Sequence, residues 1–293
     1  MAPNDSMREA EEYLKATRKT EEISGRITGL AKSLGIDVDE PTPVRPVSAR
    51  PEFRLGCIGL KRIFDLAVLF EDDISVKFSQ EDLVMRKMDP SRISMLDVNL
   101  PKQVFEIWYP PAQLMQFQLN SKAVSNVLSG DRGACNVFID SKYHVAEFSF
   151  ENSRKSIIAI ESNTEDFSAP RVLLTNRYLL DSIHLKKALS SLKGSPANAI
   201  LICGTSKEIC FKHSNSTVLY NSDTPALISI NAQATNIKNG YMLDMFKKSC
   251  RKLAAISPRI LIETAQNLPI KLTSKIWRDG EVAVWIAPRM GIE

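Results

Sequence analysis

Cysteine and histidine are the residue types through which this chain could act as a nucleophile or bind a metal. The three histidines stand at positions 144, 184 and 213, and each is isolated. The sequence contains no C-x-x-C pair and no Cys/His cluster with zinc spacing. We therefore expect no metal site and no cofactor, and reduced, mostly buried thiols in a cytosolic protein. The five scattered cysteines are Cys57, Cys135, Cys203, Cys210 and Cys250.

Other catalytic signatures are also missing from the sequence. There is no Walker A motif, no G-x-G-x-x-G, no H-E-x-x-H and no G-x-S-x-G elbow. The adjacent carboxylates Asp72 and Asp73 stand in turn-like sequence without a matching partner motif. Because no catalytic constellation can be assembled, the sequence predicts no catalytic residues and a protein that is not an enzyme.

Basic side chains are concentrated on the predicted helices, although the net charge of the chain is only +4. These helices carry few acids, namely Asp65, Asp181 and Asp244. Several basic helix faces suit a phosphate backbone that is bound without sequence readout. Ordinary solvated helix faces are the alternative interpretation. The cations that we assign to a DNA-facing surface are Lys61, Arg62, Lys122, Lys186, Lys187, Lys193, Lys247, Lys248, Arg251 and Lys252.

The elements that carry these cations follow a repeated order. Hydrophobic periodicity predicts helices over residues 60–70, 121–130, 176–194 and 239–255, separated by groups of short strands. A strand is also predicted over residues 171–175. In the last helix, Leu243, Phe246, Cys250 and Leu253 form an apolar stripe.

The repeated order predicts two similar α+β domains rather than one continuous fold. We place the first domain at residues 52–160 and the second at residues 171–293. The polar residues 161–170 form the connector between them.

Residues 1–51 differ in composition from the rest of the chain. Helix formers dominate the first part, in which Ile23, Ile27, Leu30 and Leu34 recur at helical spacing. A stretch with four prolines, "DVDEPTPVRPVSARPEF", follows as an extended linker. We predict a helical extension, either a solvated appendage or a helix that binds a partner. Neither a secretion signal nor an apolar run of membrane-spanning length is expected.

The stretch "KMDPSRISMLDVNLP", Lys87 to Pro101, reads as two short strands and a turn. Met, Arg and Ile stand in it where a purely structural hairpin would accept almost any residue. Alternation with polar residues fits a half-exposed apolar edge as well as a core face.

Three segments resemble the sliding clamps of the proliferating-cell-nuclear-antigen (PCNA) family, and the archaeal members look closest. "MDPSRISMLDVNLP" resembles the signature of that family. "LPIKLTSKIWRDGEVAVWIAPRM" resembles its last hairpin and its Ala-Pro-Lys/Arg ending, and "NGYMLDMFKKS" resembles its final inner helix. The resemblance extends from about Phe53 to Glu293.

The resemblance implies a ring of three two-domain subunits with pseudo-sixfold symmetry around double-stranded DNA. Sheets would form the outside and basic helices the inside, so contact with DNA would be sequence-independent. Such a ring catalyses no reaction. It would act as a processivity factor that tethers DNA polymerase, a clamp loader and other replication and repair proteins. No membrane partner is implied.

The resemblance also implies an apolar pocket for client peptides of the Q-x-x-hydrophobic-x-x-aromatic-aromatic type. The connector is shorter and more polar than is usual in the family, and Phe167 is its strongest apolar candidate. The positions that match the pocket are Met88, Arg92, Ile93, Met95, Phe167, Pro269, Trp285, Ala287 and Pro288.

Subunits of the family join through edge strands, which map here to residues 155–160 and 216–222. Identical or different chains could close such a ring, so a homotrimer and a heterotrimer both remain open. A specialised clamp relative, of the checkpoint type or as one heterotrimer subunit, is the alternative function. A nucleic-acid-processing enzyme is disfavoured because no carboxylate cluster is present. We expect a cytoplasmic protein, associated with the nucleoid if archaeal and nuclear if eukaryotic.

Overall fold

The computed structural model describes residues 50–70, 72–140, 142, 144–161, 168–192, 198–233, 236–289 and 291. The predicted helical extension lies outside the described residues up to position 49, as do the site candidates Phe167 and Lys193. From Arg50 onward the chain forms one unit of structure.

The described residues form four helices and eighteen strands, with one 3-10 turn at Lys102–Val104. The helices are α1 (Cys57–Ala67), α2 (Ser121–Val127), α3 (Ser182–Ser191) and α4 (Leu243–Ile256). The strands of the first half are β1 (Glu52–Gly56), β2 (Asp73–Phe78), β3 (Asp82–Met88), β4 (Ser94–Pro101), β5 (Ile107–Tyr109), β6 (Met115–Asn120), β7 (Ala134–Asp140), β8 (Val145–Ser149) and β9 (Arg154–Glu161). Those of the second half are β10 (Asn176–Asp181), β11 (Ala199–Gly204), β12 (Glu208–His213), β13 (Ser216–Asn221), β14 (Leu227–Ala232), β15 (Ile237–Met242), β16 (Arg259–Thr264), β17 (Ile270–Ile276) and β18 (Gly280–Ile286).

The strands pair into a 14-stranded sheet and a 4-stranded sheet. The larger sheet has the order β14-β10-β16-β17-β18-β4-β3-β2-β6-β9-β8-β7-β1-β5, and the smaller has the order β13-β12-β11-β15. The last strand of the chain, β18, pairs antiparallel with β4 of the first half. The two halves therefore share one continuous sheet. This architecture confirms the predicted α+β fold class, whereas the domain boundaries remain a prediction.

The four helices lie side by side on one face of the sheets. Helix α1 contacts both α2 and α4, and α4 in turn contacts α3. The predicted stripe of α4 is buried, with Leu243, Phe246, Cys250 and Leu253 at most 2% exposed. Because each helix buries such a stripe against the sheets, its polar side chains are left on the opposite face of the layer.

The hairpin formed by β17 and β18 packs against helix α1. The turn between β17 and β18 places Trp277 against α1, with left-handed backbone at Trp277 (φ 47°) and Arg278 (φ 70°). A Cβ atom at Gly59 would overlap the indole ring of Trp277, so only glycine allows this close approach. The contact joins sequence from both ends of the described chain.

The strand predicted over residues 171–175 is wrong, and the helix predicted from residue 176 begins too early. Residues 171–175 lie in no strand, whereas Asn176–Asp181 forms β10 between β14 and β16. The Asn176 side-chain amide donates to the Tyr178 hydroxyl (3.0 Å), which donates to the Thr205 carbonyl (2.9 Å). Tertiary pairing thus overrides the local helical pattern.

The same correction applies before α4. The helix predicted from residue 239 begins at Leu243, because Ile237–Met242 forms β15 and pairs with β11. The Asn239 amide donates to the Tyr241 hydroxyl (3.0 Å), which donates to the Leu268 carbonyl (2.9 Å). Both Asn-x-Tyr segments therefore end a strand that leads directly into a helix.

Candidate nucleic-acid interface and partner pocket

The helical layer exposes most of the predicted DNA-facing cations. Arg251 and Lys248 lie on the exposed side of α4, whereas Lys61, Lys247 and Lys252 are half-buried. The others that are exposed are Arg62 on α1, Lys122 on α2, and Lys186 and Lys187 on α3. Four helices from both halves therefore present basic side chains on one surface.

Three of these cations have partners within the helical layer. The Lys61 ammonium pairs with Asp65 (2.7 Å), whose carboxylate also accepts a hydrogen bond from Ser125 (2.5 Å). Desolvation raises the pKa of Asp65, but the hydrogen bonds from Lys61 and Ser125 outweigh it and hold that pKa below its ordinary value. Lys248 pairs with Asp244 (2.7 Å).

Lys247 has a structural role. Its Nζ atom donates to the carbonyl oxygen of Leu192 (2.8 Å), at the end of α3. That carbonyl belongs to the unpaired C-terminal end of a helix, where a cation is favourable. Lys247 therefore ties α4 to α3, and it is less available to an external phosphate than its neighbours.

Five of the remaining described cations are exposed and have no such partner, whereas the charge of the half-buried Lys252 helps to lower the pKa of Asp65. Arg62, Lys122, Lys186, Lys187 and Arg251 form no ion pair with any residue that the structure describes. Exposed, uncompensated cations on a rigid helical layer are suited to electrostatic contact with phosphates. These five define what we call the open cations.

On the opposite face of the large sheet, the stretch from Lys87 to Pro101 contributes to an apolar cluster. Met88 faces Met95 across β3 and β4, and Met95 faces Trp285 across β4 and β18. Met95 (3% exposed) and Trp285 (7% exposed) are buried together with Leu174 and Ala265. This cluster is separate from the main core between sheet and helices.

Asp89 organises the loop beside this cluster. Its carboxylate accepts hydrogen bonds from the backbone N–H of Ser91 (3.1 Å) and the hydroxyl of Ser94 (2.9 Å), and also from the backbone N–H of Ser94. Arg92 takes left-handed backbone (φ 57°) at the tip of the loop. Because its carboxylate accepts the hydrogen bonds of the turn, an aspartate is favoured at this position of the sequence "MDPSRIS".

The loop is connected to the C-terminal segment. The backbone N–H of Ala287 donates to the Ile93 carbonyl (2.7 Å), and that of Arg289 donates to the Gly240 carbonyl (2.7 Å). Ile93, Ala287 and Pro288 are all half-buried. A shallow apolar surface therefore runs from the loop to the end of the described chain.

The structure brings most of the predicted pocket residues together and adds several that the sequence analysis missed. Pro269 is half-buried beside Leu268, which packs on the cluster with Ala169 and Met88, whereas Arg92 is exposed. The missed residues are Ala169, Leu174, Ala265 and Leu268. Leu174 could have been found from the run of apolar residues 172–174, which was interpreted as a strand.

Leu173 extends the apolar surface outward, since its side chain is 79% exposed. On the other side, the Lys271 ammonium lies 5.5 Å from the centre of the Trp285 ring and pairs with Glu281 (2.8 Å). A cation over an indole face is attractive and marks the polar limit of the pocket.

The described residues contain no group of three or more His, Cys, Asp or Glu side chains that could hold a metal ion. His213 is buried with its Nδ1 atom 2.9 Å from the Ala199 carbonyl, and His184 lies 2.8 Å from Asp181 at the start of α3. Both have structural partners. Within the described part of the chain, no helix is long and apolar enough to span a membrane.

In sequence, the chain is similar to DNA polymerase sliding clamps. The chain is 26% identical to DNA polymerase sliding clamp 2 of Thermococcus kodakarensis over 251 residues, which covers 83% of this chain and 95% of the relative. It is 25% identical to DNA polymerase sliding clamp 1 of Pyrobaculum aerophilum, covering 78% and 93% of the two chains. No protein-family model matches the sequence.

Solved structures of the same kind share the fold. PCNA from Thermococcus kodakaraensis superposes with a TM-score of 0.73 at 21% identity, covering 82% of this chain and all of that one. PCNA of A. fulgidus, solved with the C-terminal region of FEN-1, gives 0.72 at 16% identity over 83% of this chain and all of that one. A PCNA2–PCNA3 complex from Sulfolobus tokodaii gives 0.70 at 15% identity over 81% of this chain and 99% of that one.

The fold of the described residues is similar to that of the PCNA structures. Sequence similarity extends to archaeal DNA polymerase sliding clamps over most of their length. The sequence-based recognition of an archaeal-like PCNA clamp is thereby confirmed.

Proposed function

We propose that this chain is a subunit of a DNA sliding clamp that encircles duplex DNA and tethers DNA polymerase and other client proteins, without an enzymatic activity of its own. The observation that carries the proposal is the layer of four helices that covers one face of a sheet continuous across both halves. Its open cations come from all four helices, so a ring of such chains would present positive charge on every side of its opening.

Ring closure is proposed to use the edges of β9 and β13. No described strand pairs with the second side of Arg154–Ile158, and β13 is the last strand of its sheet. Ile158 (71% exposed) and Ile160 (57%) lie on β9, and Leu219 (46%) lies on β13. Two exposed apolar edges of this kind are a liability unless they pair with another subunit.

Charge at the strand ends favours pairing between copies of this chain. In an antiparallel pair, Arg154 at the start of β9 would approach Asp223 beyond the end of β13. Opposite charges at this end of the strand pair suit a homotrimer. A heterotrimer is the second candidate, because the S. tokodaii structure is a complex of PCNA2 with PCNA3.

Client peptides are proposed to bind the apolar surface formed by the Met88–Met95–Trp285 row, the Ile93 loop and the C-terminal segment. Thioether and isoleucine side chains give an adaptable apolar floor. The A. fulgidus PCNA structure, with the C-terminal region of FEN-1 bound, supports a peptide ligand for a protein of this fold.

We also retain domains at 52–160 and 171–293, a connector at 161–170, and a location with cellular DNA as proposals.

Topological linkage to DNA tests the proposed function. With a clamp loader and ATP, the full chain is expected to stay on nicked circular DNA during gel filtration. A single double-strand cut should release it, because a closed ring that encircles DNA slides off a free end. Equal retention before and after cutting would show ordinary binding instead of encirclement. Hydrolysis of the DNA with magnesium or manganese by a contaminant-free preparation would favour the enzyme alternative.

Replacing Ile93 by arginine is expected to weaken client-peptide binding by on the order of 30-fold, because a buried cation replaces an apolar contact at the centre of the pocket. Assembly should be unchanged, since the Ile93 carbonyl keeps its bond to Ala287. Isothermal titration with an unlabelled Q-x-x-hydrophobic-x-x-aromatic-aromatic peptide measures the affinity.

Leu114→Arg is the matched control for this variant. Leu114 is an apolar residue that is 62% exposed, and it precedes β6 near Leu83, about 20 Å along β3 from Met88. Peptide affinity should stay at the wild-type value in this control. Wild-type affinity in Ile93→Arg, or an equal loss in both variants, would show that the pocket lies elsewhere.

A further inference from the structure

Two cysteines face each other on neighbouring strands of the 4-stranded sheet. Cys203 on β11 is directly opposite Cys210 on β12 in the strand register. The clamp function proposed above uses neither of them. All five cysteines of the chain are free thiols in this structure.

The backbone register places the two Cα atoms at a separation compatible with a disulfide, and closing the bond would draw the two Cβ atoms together to about 3.5–4.5 Å. In the hairpin that joins β11 to β12, the Thr205 N–H donates to the Glu208 carbonyl (2.9 Å). Hydrogen-bonded pairs recur at every second residue of an antiparallel ladder, so Cys203 and Cys210 also form one, with Cα atoms about 5.5 Å apart. That separation lies inside the range of roughly 4.4–6.8 Å found for disulfides.

The surroundings of the pair favour reaction at Cys203. Its side chain is half-buried, whereas Cys210 is only 6% exposed. The hydrogen bond from Cys210 lowers the pKa of the Cys203 thiol below its ordinary value, against desolvation, and the charges of Lys212 and Lys238 lower it further. The pKa of Cys210 is raised, first by the same hydrogen bond and then by burial. A stabilised thiolate beside a protonated thiol is the arrangement of an attacking and a resolving cysteine.

We propose that Cys203 and Cys210 are a peroxide-responsive thiol pair that closes reversibly into a cross-strand disulfide on the outer face of the 4-stranded sheet. The Cys203 thiolate attacks one oxygen of a hydroperoxide, the O–O bond breaks, and the leaving oxygen takes up a proton. The resulting Cys203 sulfenic acid is attacked by the Cys210 sulfur. An S–S bond forms, the S–O bond breaks, and the hydroxyl leaves with the Cys210 proton as water. One peroxide accepts two electrons from two thiols, and an added dithiol reverses the change.

A second thiol pair in the chain provides an internal comparison. Cys57 and Cys135 are also hydrogen-bonded to each other, but both are 0% exposed and burial raises the pKa of each thiol. Proximity alone would therefore predict oxidation at both pairs. Solvent access to the sulfur atom and a lowered thiol pKa predict oxidation at the Cys203–Cys210 pair only.

Tryptic mapping of the full chain after treatment with hydrogen peroxide tests the proposal. Lys207 lies between the two cysteines, so trypsin places Cys203 and Cys210 on separate peptides that stay joined only through a disulfide. We expect the joined peptides, a mass loss of two hydrogens in the intact chain, and recovery of both thiols with dithiothreitol. Cys210→Ser should instead accumulate a sulfenic acid at Cys203 that a cyclic 1,3-diketone traps.

Two further variants separate a specific site from general oxidation. Cys203→Ser should slow thiol loss by roughly tenfold, whereas Cys250→Ser should leave the rate at the wild-type value, since Cys250 is buried in α4. The proposal is overturned if Cys203→Ser loses thiols as fast as the wild type. It is also overturned if a non-reducing gel shows that the disulfide joins two chains, or if peroxide at a concentration that oxidises glutathione leaves both cysteines as thiols.

Discussion

Replacing Ile158 by aspartate is expected to convert an assembly of three times the 32.8 kDa chain mass into single chains. Ile158 is the most exposed apolar side chain on β9, with 71% of its surface accessible. An edge strand that pairs with β13 of the next copy would bury this side chain, and burying an unpaired carboxylate costs several kcal/mol. Because each 1.4 kcal/mol is a factor of about ten in the dissociation constant, the ring should be lost at micromolar concentration.

Light scattering coupled to gel filtration measures this change, and circular dichroism checks the fold. Leu114→Asp is the matched control, because it places the same charge at another exposed apolar position (62% exposed) that precedes β6 and lies about 20 Å along the strands from Ile158. The control should retain the wild-type mass. If the wild type is a single chain and acquires its full mass only with a different clamp chain, the heterotrimer is correct. If Ile158→Asp retains the wild-type mass, β9 is not the subunit edge.

The helices show what periodicity can predict and what it cannot. The stripe through Leu243, Phe246, Cys250 and Leu253 is buried as predicted, because a period of 3.6 residues identifies the buried face of a helix wherever the helix begins. The starts of α3 and α4 were predicted several residues too early. Residues 176–181 and 239–242 have sequences compatible with a helix, and only pairing with distant strands makes them β10 and β15.

The pocket illustrates the same limit at the level of a site. Met88, Met95 and Trp285 were predicted to lie together from the resemblance to the clamps, and antiparallel pairing places them in one row. Leu174 and Ala265 join them from loops that follow no period. Their contribution depends on pairing between β18 and β4, which are separated in sequence by residues 102–279. Local patterns cannot report such a contact.

Replacing Lys186, Lys187 and Arg251 by alanine is expected to weaken binding to duplex DNA by on the order of a hundredfold near 0.15 M salt. All three are exposed open cations, and each phosphate that they neutralise would release a condensed counterion. The slope of log affinity against log salt concentration should fall by about 0.9 for each phosphate that is no longer neutralised, or about 2.7 for all three. Stability should change little, because none of the three has a partner within the described structure.

The charge-matched control removes Lys207, Lys212 and Lys238, which lie on the 4-stranded sheet and its hairpin. Lys212 and Lys238 share the outer face with Cys203, away from the helices. Both triple variants lower the net charge equally, so a general electrostatic effect would weaken DNA binding in both. Fluorescence anisotropy with a short duplex, measured across a salt series, separates the two cases. A reduced salt slope only in the helix variant would assign phosphate binding to the helical layer, because only that surface would then neutralise fewer phosphates. Equal slopes in the two variants would mean that the basic helices do not face the DNA.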